Sequence, residues 1–486
     1  MKKAIYMVLV MLCVFSVMFS ATGCKTVTQR IVVESDTSED DAEEEDYWGE
    51  DGEEEEEDAD GSSKTSGQKT TSKSATASGG ATANKPKTSV WEAGAGEEVP
   101  FAKRKNVTGE IILFCPWDTS ADAKFKKINE AFKKEYPGTT LKIVQSDWPS
   151  RDIKLTQSIR SGTVPDYVPT ICLDFPRRAI KNMMMPIDDL IQETAAMDYY
   201  IMDNVTAWNG KRYAEIMKGV PGIFYYNTTI LKNAGIKDMP LKLSQDNKWT
   251  WADMKNMAAK LTVDSNKDGK PEVYGFGTEF DFMFPLAMNT DIVKMNGSAP
   301  TLNVDDPNLR SALMFFYDGI NKEKIFSPVR WAMWSEFAKK NVAMYYGISG
   351  EAQKIIDAGL TTWEVAPFPK ATGKESAYVG YSPNDGFGVG AGAKNPVGGL
   401  AYGEFTYNYN LQQKQSGAVK DPFTKAQRDA MNKVENRITL LYGYGMESSF
   451  CSSFCGDMRT NGDLTALIEK QRSDWQKNID DTLKGR

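Results

Sequence analysis

From Gly109 onward the sequence alternates between patterns typical of strands and patterns typical of helices. GEIILFC indicates a buried strand, and Phe125, Ile128 and Phe132 then recur on one helical face before Pro137 ends the helix. TLKIVQS, SRDIKLTQSIRSG and YVPTICLD repeat the strand, helix and strand patterns. This alternation predicts an α/β fold with a mostly parallel sheet flanked by helices, in which ligands bind beyond the carboxyl ends of the strands.

Each of these three strands ends beside an aromatic residue and a carboxylate. A single aromatic residue at a strand end is commonly part of the core, but three such pairs at equivalent places indicate a shared rim. Aromatic faces stack on sugars and carboxylates accept hydrogen bonds from hydroxyls, so such pairs suit a neutral polyhydroxylated ligand, or a cationic one through cation–π contact. The predicted rim pairs are Trp117 with Asp118, Trp148 with Asp147, and Phe175 with Asp174.

The N-terminus has the features of an export signal. Lys2 and Lys3 precede an apolar run over 4–20 that is shorter than the roughly 20 residues a spanning helix needs. We therefore predict a signal peptide over 1–23. The following ATGC resembles the bacterial lipoprotein box, which implies acylation of Cys24 and a membrane anchor without a spanning helix.

Residues 24–106 are predicted to form a disordered tether. An acidic block gives way to a segment rich in Ser, Thr, Ala and Gly, and neither has enough apolar surface to fold. Most of the acidity of the chain lies here, because residues 25–106 hold 21 Asp or Glu and 10 Lys or Arg, whereas the whole chain has a net charge of −8. The folded part is therefore nearly neutral and shows no basic face for nucleic acid.

The chain contains no histidine, which excludes Ser-His-Asp triads, Cys-His pairs and histidine zinc sites. Four cysteines follow the predicted anchor: Cys115, Cys172, Cys451 and Cys455. Outside the cytosol an even number permits disulfides, and three pairings are open.

Several segments carry a family resemblance. INEAFKKEYPGTTLKIV, LTQSIRSGTVPDYV, MPIDDLI, GVPGIFYYNTTILKNAGI, WTWADMKNMAAKLT and FAKKNVAMYYG together resemble, in order and spacing, the sugar-binding extracellular solute-binding proteins of ABC importers. The resemblance runs from about Gly109 to at least Pro396. It implies a two-lobed fold with a ligand cleft between lobes, formed by residues 107–219 and 380–435 in the first lobe and by 220–379 and 436–486 in the second.

The resemblance also implies crossing segments and further ligand contacts. The crossings fall at Gly219–Asn227 and Tyr378–Gly390, where glycines supply backbone freedom for a hinge. Asp174 matches a position that contacts sugar in the family, and EFDFMFP (Glu279–Pro285) matches a ligand-contacting segment. Trp331 and Trp334 are predicted to be core residues. The additional predicted ligand-binding residues are Tyr225, Asp281, Tyr346 and Asp385.

We expect the protein to capture an extracytoplasmic solute by hinge closure and to deliver it to ABC permease subunits. The expected solute is an oligosaccharide. The chain is expected to act as a monomer, without catalysis and without nucleotide, since it has no phosphate-binding loop. A surface sensor or adhesin and a glycosidase with paired carboxylates remain as alternatives.

DSNKDGKPEVYG (264–275) resembles the start of a calcium loop. Its candidate ligands are Asp264, Asn266, Asp268, Lys270 and Glu272, but Gly275 stands where a calcium loop has a bidentate glutamate. An Asx-rich turn needs the same residue types, so the sequence leaves a structural calcium ion and a plain turn open.

Overall fold

The computed structural model describes residues 100–218, 222–296, 299–381, 385–417, 422–431, 434–436, 441, 443–460 and 462–485. The predicted signal peptide, Cys24 and the tether up to residue 99 lie outside these residues.

Helices and strands alternate over most of this region. The helices are α1 (Ala123–Glu135), α2 (Arg151–Arg160), α3 (Arg177–Ile180), α4 (Tyr199–Asn204), α5 (Thr228–Asn233), α6 (Pro240–Gln245), α7 (Trp251–Leu261), α8 (Met283–Ala287), α9 (Pro307–Asn321), α10 (Met333–Ala338), α11 (Glu351–Asp357), α12 (Pro396–Gln415), α13 (Lys425–Met431), α14 (Cys455–Met458) and α15 (Leu464–Leu483). The strands are β1 (Gly109–Cys115), β2 (Thr139–Gln145), β3 (Val168–Ile171), β4 (Ala207–Trp208), β5 (Lys211–Arg212), β6 (Ala214–Ile216), β7 (Ile223–Asn227), β8 (Gly277–Thr278), β9 (Val293–Asn296), β10 (Ala299–Leu302), β11 (Met344–Gly347), β12 (Trp363–Ala366), β13 (Tyr378–Gly380), β14 (Asp385–Gly388) and β15 (Val434–Asn436).

The first lobe is built around β1, β2, β3, β6 and β14. β1 and β2 pair in parallel, and the Phe114 N–H donates to the Tyr167 carbonyl (2.9 Å), which joins β1 to the chain that enters β3. β14 lies between β3 and β6 and runs antiparallel to both. The predicted inner face of α1 is confirmed, since Phe125, Ile128 and Phe132 are all buried.

The second lobe is built around one sheet in the order β12-β7-β11-β8. β7 runs antiparallel to β11 and β12, whereas β8 and β11 are parallel. The two-strand ribbon of β9 and β10 is antiparallel.

The sheets therefore contain both parallel and antiparallel strand pairs, and the expectation that the strands of each lobe pair mostly in parallel is wrong. The reason is the route of the chain. β7 and β14 each enter a lobe directly from the other lobe, so each runs against the strands beside it. A parallel neighbour would need a crossover connection within the same lobe.

The two predicted crossing segments lie side by side. The Met217 N–H donates to the Asp385 carbonyl (2.9 Å) and the Gly222 N–H donates to the Tyr381 carbonyl (2.6 Å). Gly219, one of the predicted hinge glycines, lies outside the described residues. In β14 the close approach of β6 explains Gly386, because a Cβ there would overlap the Glu215 carbonyl.

Two predicted boundaries differ from the structure. α13 packs against β12 and α6 of the second lobe, although residues up to 435 were expected in the first. The tether was expected to reach residue 106, but Phe101 is buried and its backbone exchanges two hydrogen bonds with the Asn408 side chain (2.8 and 2.9 Å). Arg104 also forms a bidentate pair with Glu404, both distances being 2.7 Å.

Within the described ranges, no helix combines the length and the apolar character that crossing a bilayer requires. Cys115, Cys172, Cys451 and Cys455 are all buried thiols in this structure.

Candidate functional site

The carboxyl ends of β1 and β2 form the rim of the first lobe. Because these strands are parallel and pair Cys115 with Gln145, the segments that follow them leave the sheet at the same edge. The Gln145 amide donates to the Asp118 carboxylate (3.3 Å), which joins the two loops. The structure thus brings the loops that carry Trp117, Asp118 and Trp148 to one edge of the sheet, and their contact with a ligand stays a prediction.

Two carboxylates on this rim are exposed and charged. The Ser120 N–H donates to Asp118 (2.8 Å), and this bond lowers the pKa of Asp118. The Ser150 N–H donates to Asp147 (2.7 Å) and lowers the pKa of that carboxyl in the same way. A hydrogen bond to the charged form favours ionisation, so both groups are anions at neutral pH.

Trp148 is the most accessible aromatic ring of this rim, with 45% of its surface exposed. The Arg151 guanidinium lies 4.3 Å from the centre of the Trp148 ring, within the range of a cation–π contact. Trp117 is half-buried and meets Phe125 edge-on at 6.2 Å between ring centres. Trp148 therefore offers an open ring face, whereas much of Trp117 is used in packing.

Asp174 was expected to contact the ligand, but the structure places it behind the rim. It is 1% exposed and lies in the turn that follows β3. Its carboxylate pairs with Arg151 (3.2 Å) and Arg178 (2.9 Å) and accepts a hydrogen bond from the Thr170 hydroxyl (2.9 Å). These partners occupy both carboxylate oxygens, so Asp174 holds Arg151 in place and leaves no surface for a solute.

The carboxyl end of β8 forms the corresponding rim of the second lobe. Asp281 follows this strand and is 1% exposed. It pairs with Arg459, and the Arg330 Nε lies 3.9 Å from its other oxygen. Asp281 is thus another predicted ligand contact that the structure assigns to a buried ion pair.

Trp331 is the aromatic residue of this rim that sequence reasoning missed. It was predicted to be core, yet it is 62% exposed, and the Arg330 guanidinium lies 4.5 Å from the centre of its ring. Trp334, predicted as core in the same way, does pack against the buried cluster. The difference follows from the helix start at Met333, because Trp331 precedes the helix and is outside its buried face.

The two rims share one arrangement. Each has an exposed tryptophan, an arginine next to the ring and a buried aspartate that pairs with the arginine. The sets are Trp148, Arg151 and Asp174 in the first lobe and Trp331, Arg330 and Asp281 in the second. We call each tryptophan with its arginine and aspartate a platform.

Three other predicted ligand residues lie in the core. Phe175 is 1% exposed, and Tyr225 and Tyr346 have no exposed surface. The Tyr225 hydroxyl donates to the Ile348 carbonyl (2.8 Å), and the Tyr381 N–H donates to the Tyr346 hydroxyl (3.3 Å). Both hydroxyls are thus bonded within the protein, and we exclude these three residues from the candidate site.

Asp385 lies at the start of β14, next to the crossing segments. Its carboxylate has no hydrogen-bond partner in the part of the chain that the structure describes, and burial raises its pKa to about 7. Burial raises the pKa of the Cys172 thiol and of the Tyr167 hydroxyl, and the charge of Asp385 adds to this effect. A ligand contact at Asp385 stays a prediction.

The loop over 264–272 forms the hydrogen bonds of an Asx-rich turn, and a structural calcium ion there stays a prediction. Asp264 accepts from the Gly269 N–H (3.0 Å), Asn266 from the Asp268 N–H (2.9 Å) and Asp268 from the Lys270 N–H (2.8 Å). The Glu272 carboxylate accepts from the Ser265 N–H (2.8 Å). Over the described residues no three His, Cys, Asp or Glu side chains are grouped closely enough to hold a metal.

Comparison with known proteins identifies a family. The model of the family described as bacterial extracellular solute-binding protein matches residues 127–429, more than half of the chain. A putative binding protein of Brucella abortus strain 2308 is 25% identical over 329 residues, which cover 63% of this chain and 69% of that protein.

Solved structures share the fold at low identity. The ABC substrate-binding protein Lmo0181 from Listeria monocytogenes, in complex with cycloalternan, has a TM-score of 0.60 and 15% identity and covers 77% of this chain and 99% of its own. UgpB from Mycobacterium tuberculosis, in complex with glycerophosphocholine, has the same TM-score at 16% identity, with 77% and 99% covered. These similarities show a two-lobed solute-binding fold.

Replacement of Asp174 tests its role behind the rim. Asp174→Asn removes the charge that faces Arg151 and Arg178, and loss of one partner from a buried pair costs about 3 kcal/mol or more. We expect urea unfolding without ligand to show a loss of this size. Asp118→Asn, on the same rim but exposed, should change the free energy of unfolding by less than about 0.5 kcal/mol. Equal urea midpoints of unfolding for Asp174→Asn and the unchanged protein would contradict the assignment of Asp174 to a buried ion pair.

Asp385 should make stability depend on pH. Its folded pKa, about 7, lies above the ordinary value of 3.8, so the stabilisation that the protonated form gives is lost as pH rises through 7. Asp385→Asn should therefore be neutral at pH 4 and raise the free energy of unfolding by about 1–3 kcal/mol at pH 8. Thermal and urea unfolding between pH 4 and 8 measure this difference. Asp238→Asn, an exposed control, should show no such trend, and a pH-independent effect of Asp385→Asn would refute the prediction.

Proposed function

The chain belongs to the bacterial extracellular solute-binding proteins, and on this premise we propose that it captures a carbohydrate between its two lobes and delivers it to the permease subunits of an ABC importer. The observation that carries the carbohydrate assignment is the exposed tryptophan on each rim. The apolar faces of sugar rings stack on aromatic faces, and an exposed ring held by a buried ion pair keeps its orientation before the ligand arrives.

The charge of the first rim disfavours an anionic ligand. Asp118 and Asp147 are exposed anions near Trp148, whereas Arg151 is already paired with two carboxylates. Anionic solutes would be repelled by the exposed acids and would find no uncommitted arginine there. Carboxylates accept hydrogen bonds from hydroxyl groups, so a neutral oligosaccharide matches the rim in both charge and hydrogen bonding.

Relatives of this fold bind chemically different solutes. Lmo0181 was solved with cycloalternan and UgpB with glycerophosphocholine. The fold alone is therefore compatible with either class. The paired tryptophans and the anionic first rim support the saccharide.

Capture would proceed by closure of the lobes about the crossing segments. Met217 and Gly222 on one segment bond to Asp385 and Tyr381 on the other, so the lobes are joined by adjacent extended strands. A ligand that contacts both platforms gains its full set of contacts only when the lobes turn towards each other, and this difference drives closure. No catalytic step is part of the proposal, because both aspartates behind the rims are paired with arginines and have almost no surface that a substrate could reach.

We place the protein outside the cytoplasm, as the family implies. The proposed anchor is acylated Cys24, with the segment up to residue 99 as a tether between membrane and lobes. A monomer whose lobes are held on a tether can carry its solute to a nearby permease. Solute uptake that survives deletion of the protein would instead favour a sensor or an adhesin.

Replacement of the tryptophans tests the carbohydrate site. A thermal-shift screen with neutral oligosaccharides first identifies a ligand, and calorimetry then measures its affinity. Trp148→Ala and Trp331→Ala should each weaken binding at least about tenfold, because each removes an aromatic contact from the site. Met314→Ala removes an exposed apolar side chain on α9 and should leave the affinity unchanged.

Three outcomes would count against the proposal. They are the absence of any stabilising carbohydrate, normal affinity after both tryptophan substitutions, and the appearance of new reducing ends during incubation with the ligand.

A further inference from the structure

The C-terminal part of the chain contacts both rims. Glu447 precedes a π-helical segment over Ser448–Phe454, which continues directly into α14 (Cys455–Met458) and ends at Arg459. We call residues 447–459 the strut. A continuous helical segment of this length spans roughly 15 Å between its ends.

The first end of the strut is tied to the platform of the first lobe. The Glu447 carboxylate lies 3.0 Å from the Arg151 guanidinium, which also pairs with Asp174 and contacts the Trp148 ring. Arg151 is almost completely buried, whereas the Glu447 side chain is 27% exposed, so this pair lies at the edge of the buried network.

Glu447 also completes a balanced group of charges. The buried network on the first lobe contains Arg151, Arg177 and Arg178 against Asp152 and Asp174. Glu447 adds the third negative charge, and it is the member of this described network that comes from a distant part of the chain. Without Glu447 the network would carry an excess positive charge beside Trp148.

The other end of the strut is tied to the platform of the second lobe. Arg459 pairs with Asp281 and donates hydrogen bonds to the carbonyls of Thr278 (2.9 Å), Ser327 (3.2 Å) and Val329 (3.0 Å). These groups surround the loop that carries Trp331. The arginine is buried and therefore fixes the strut firmly to this rim.

The strut is backed by a second helix. Phe450 and Phe454 pack against Trp475 of α15, with ring centres 6.0 and 5.1 Å apart. α15 is itself held to the second lobe, where Arg472 forms a bidentate pair with Asp305 (2.6 and 2.8 Å). Bending of the strut would have to disrupt this aromatic packing.

We propose that the strut sets the separation of the two tryptophan platforms and that Glu447 is thereby a positioning residue that selects solutes by length. This inference rests on the proposed carbohydrate function for its ligand. A single sugar ring is shorter than the strut and covers one platform, whereas an oligosaccharide of several rings reaches both. The site therefore favours oligosaccharides over monosaccharides.

Release of the first end of the strut tests the proposal. Glu447→Gln keeps the size of the side chain but removes its charge, and Asp174 still pairs with Arg151. Affinities are measured by calorimetry for a series of neutral saccharides from one ring to several. We expect the ratio of affinities for the longest and the shortest ligand to fall about fivefold or more.

Controls separate positioning from general stability. Glu469→Gln breaks the pair of α15 with Arg310 of α9 and a pair with Arg472 within α15 but leaves the strut attached to both rims, so the affinity ratio should be unchanged. Glu447→Asp keeps the charge on a shorter side chain and should restore part of the ratio. An unchanged ratio in Glu447→Gln would overturn the proposal.

A measurement without ligand keeps this test separate from the proposed function. Spin labels at Lys127→Cys on α1 and Met314→Cys on α9, introduced together with Cys13→Ser and Cys24→Ser, report the distance between the lobes, because the other four cysteines are buried. Glu447→Gln should broaden the distance distribution relative to the labelled parent. If no carbohydrate binds the parent but Glu447→Gln broadens the distance distribution, the proposed carbohydrate function is wrong, whereas the positioning role of the strut is supported. An unchanged distribution overturns the strut.

Discussion

The pairing of a buried aspartate with an arginine behind each tryptophan is the interaction on which the site depends. Asp174 holds Arg151, and Asp281 holds Arg459 and Arg330, so each buried aspartate is paired with arginine inside the protein. Buried ion pairs add little net stability, because desolvation offsets most of their attraction, but loss of one partner is costly. Their value here is geometric. They fix two exposed aromatic rings and both ends of the segment that joins them.

The fold shows how this arrangement fits a protein that closes on a solute. The extended segments around Gly222 and Tyr381 join the lobes on one route, and the strut joins them on another. A pair of strands can bend and twist with little loss of hydrogen bonding, whereas a helical segment backed by Trp475 resists deformation. Closure about the strands with a fixed strut would turn the rims about a defined axis. The separation of the platforms would then be a property of the protein and not of the ligand.

Much of the fold could be predicted from the sequence. The alternation of strands and helices after Gly109, the inner face of α1 and the shared edge of Trp117 and Trp148 follow from local periodicity and from the geometry of parallel strands. The direction of β7 and β14 could not be read from periodicity, because it depends on the lobe from which each strand arrives. The prediction of crossing segments already contained that information, since a strand that enters from the other lobe runs against its neighbours.

The site was harder to predict than the fold. Asp174 and Asp281 stand beside aromatic residues, and sequence alone does not show which of the two side chains faces solvent. Their partners come from distant positions, Arg151 and Arg459, so their burial depends on tertiary contacts. Trp331 was misassigned because its neighbour Trp334 does face the core.

The roles of the two tryptophans and the two buried aspartates are tested by a crystal structure with the tightest-binding neutral oligosaccharide. We expect sugar rings stacked on both Trp148 and Trp331, with both aspartates still bonded to their arginines. A ligand bound directly to Asp174 or Asp281, with the arginine displaced, would contradict it.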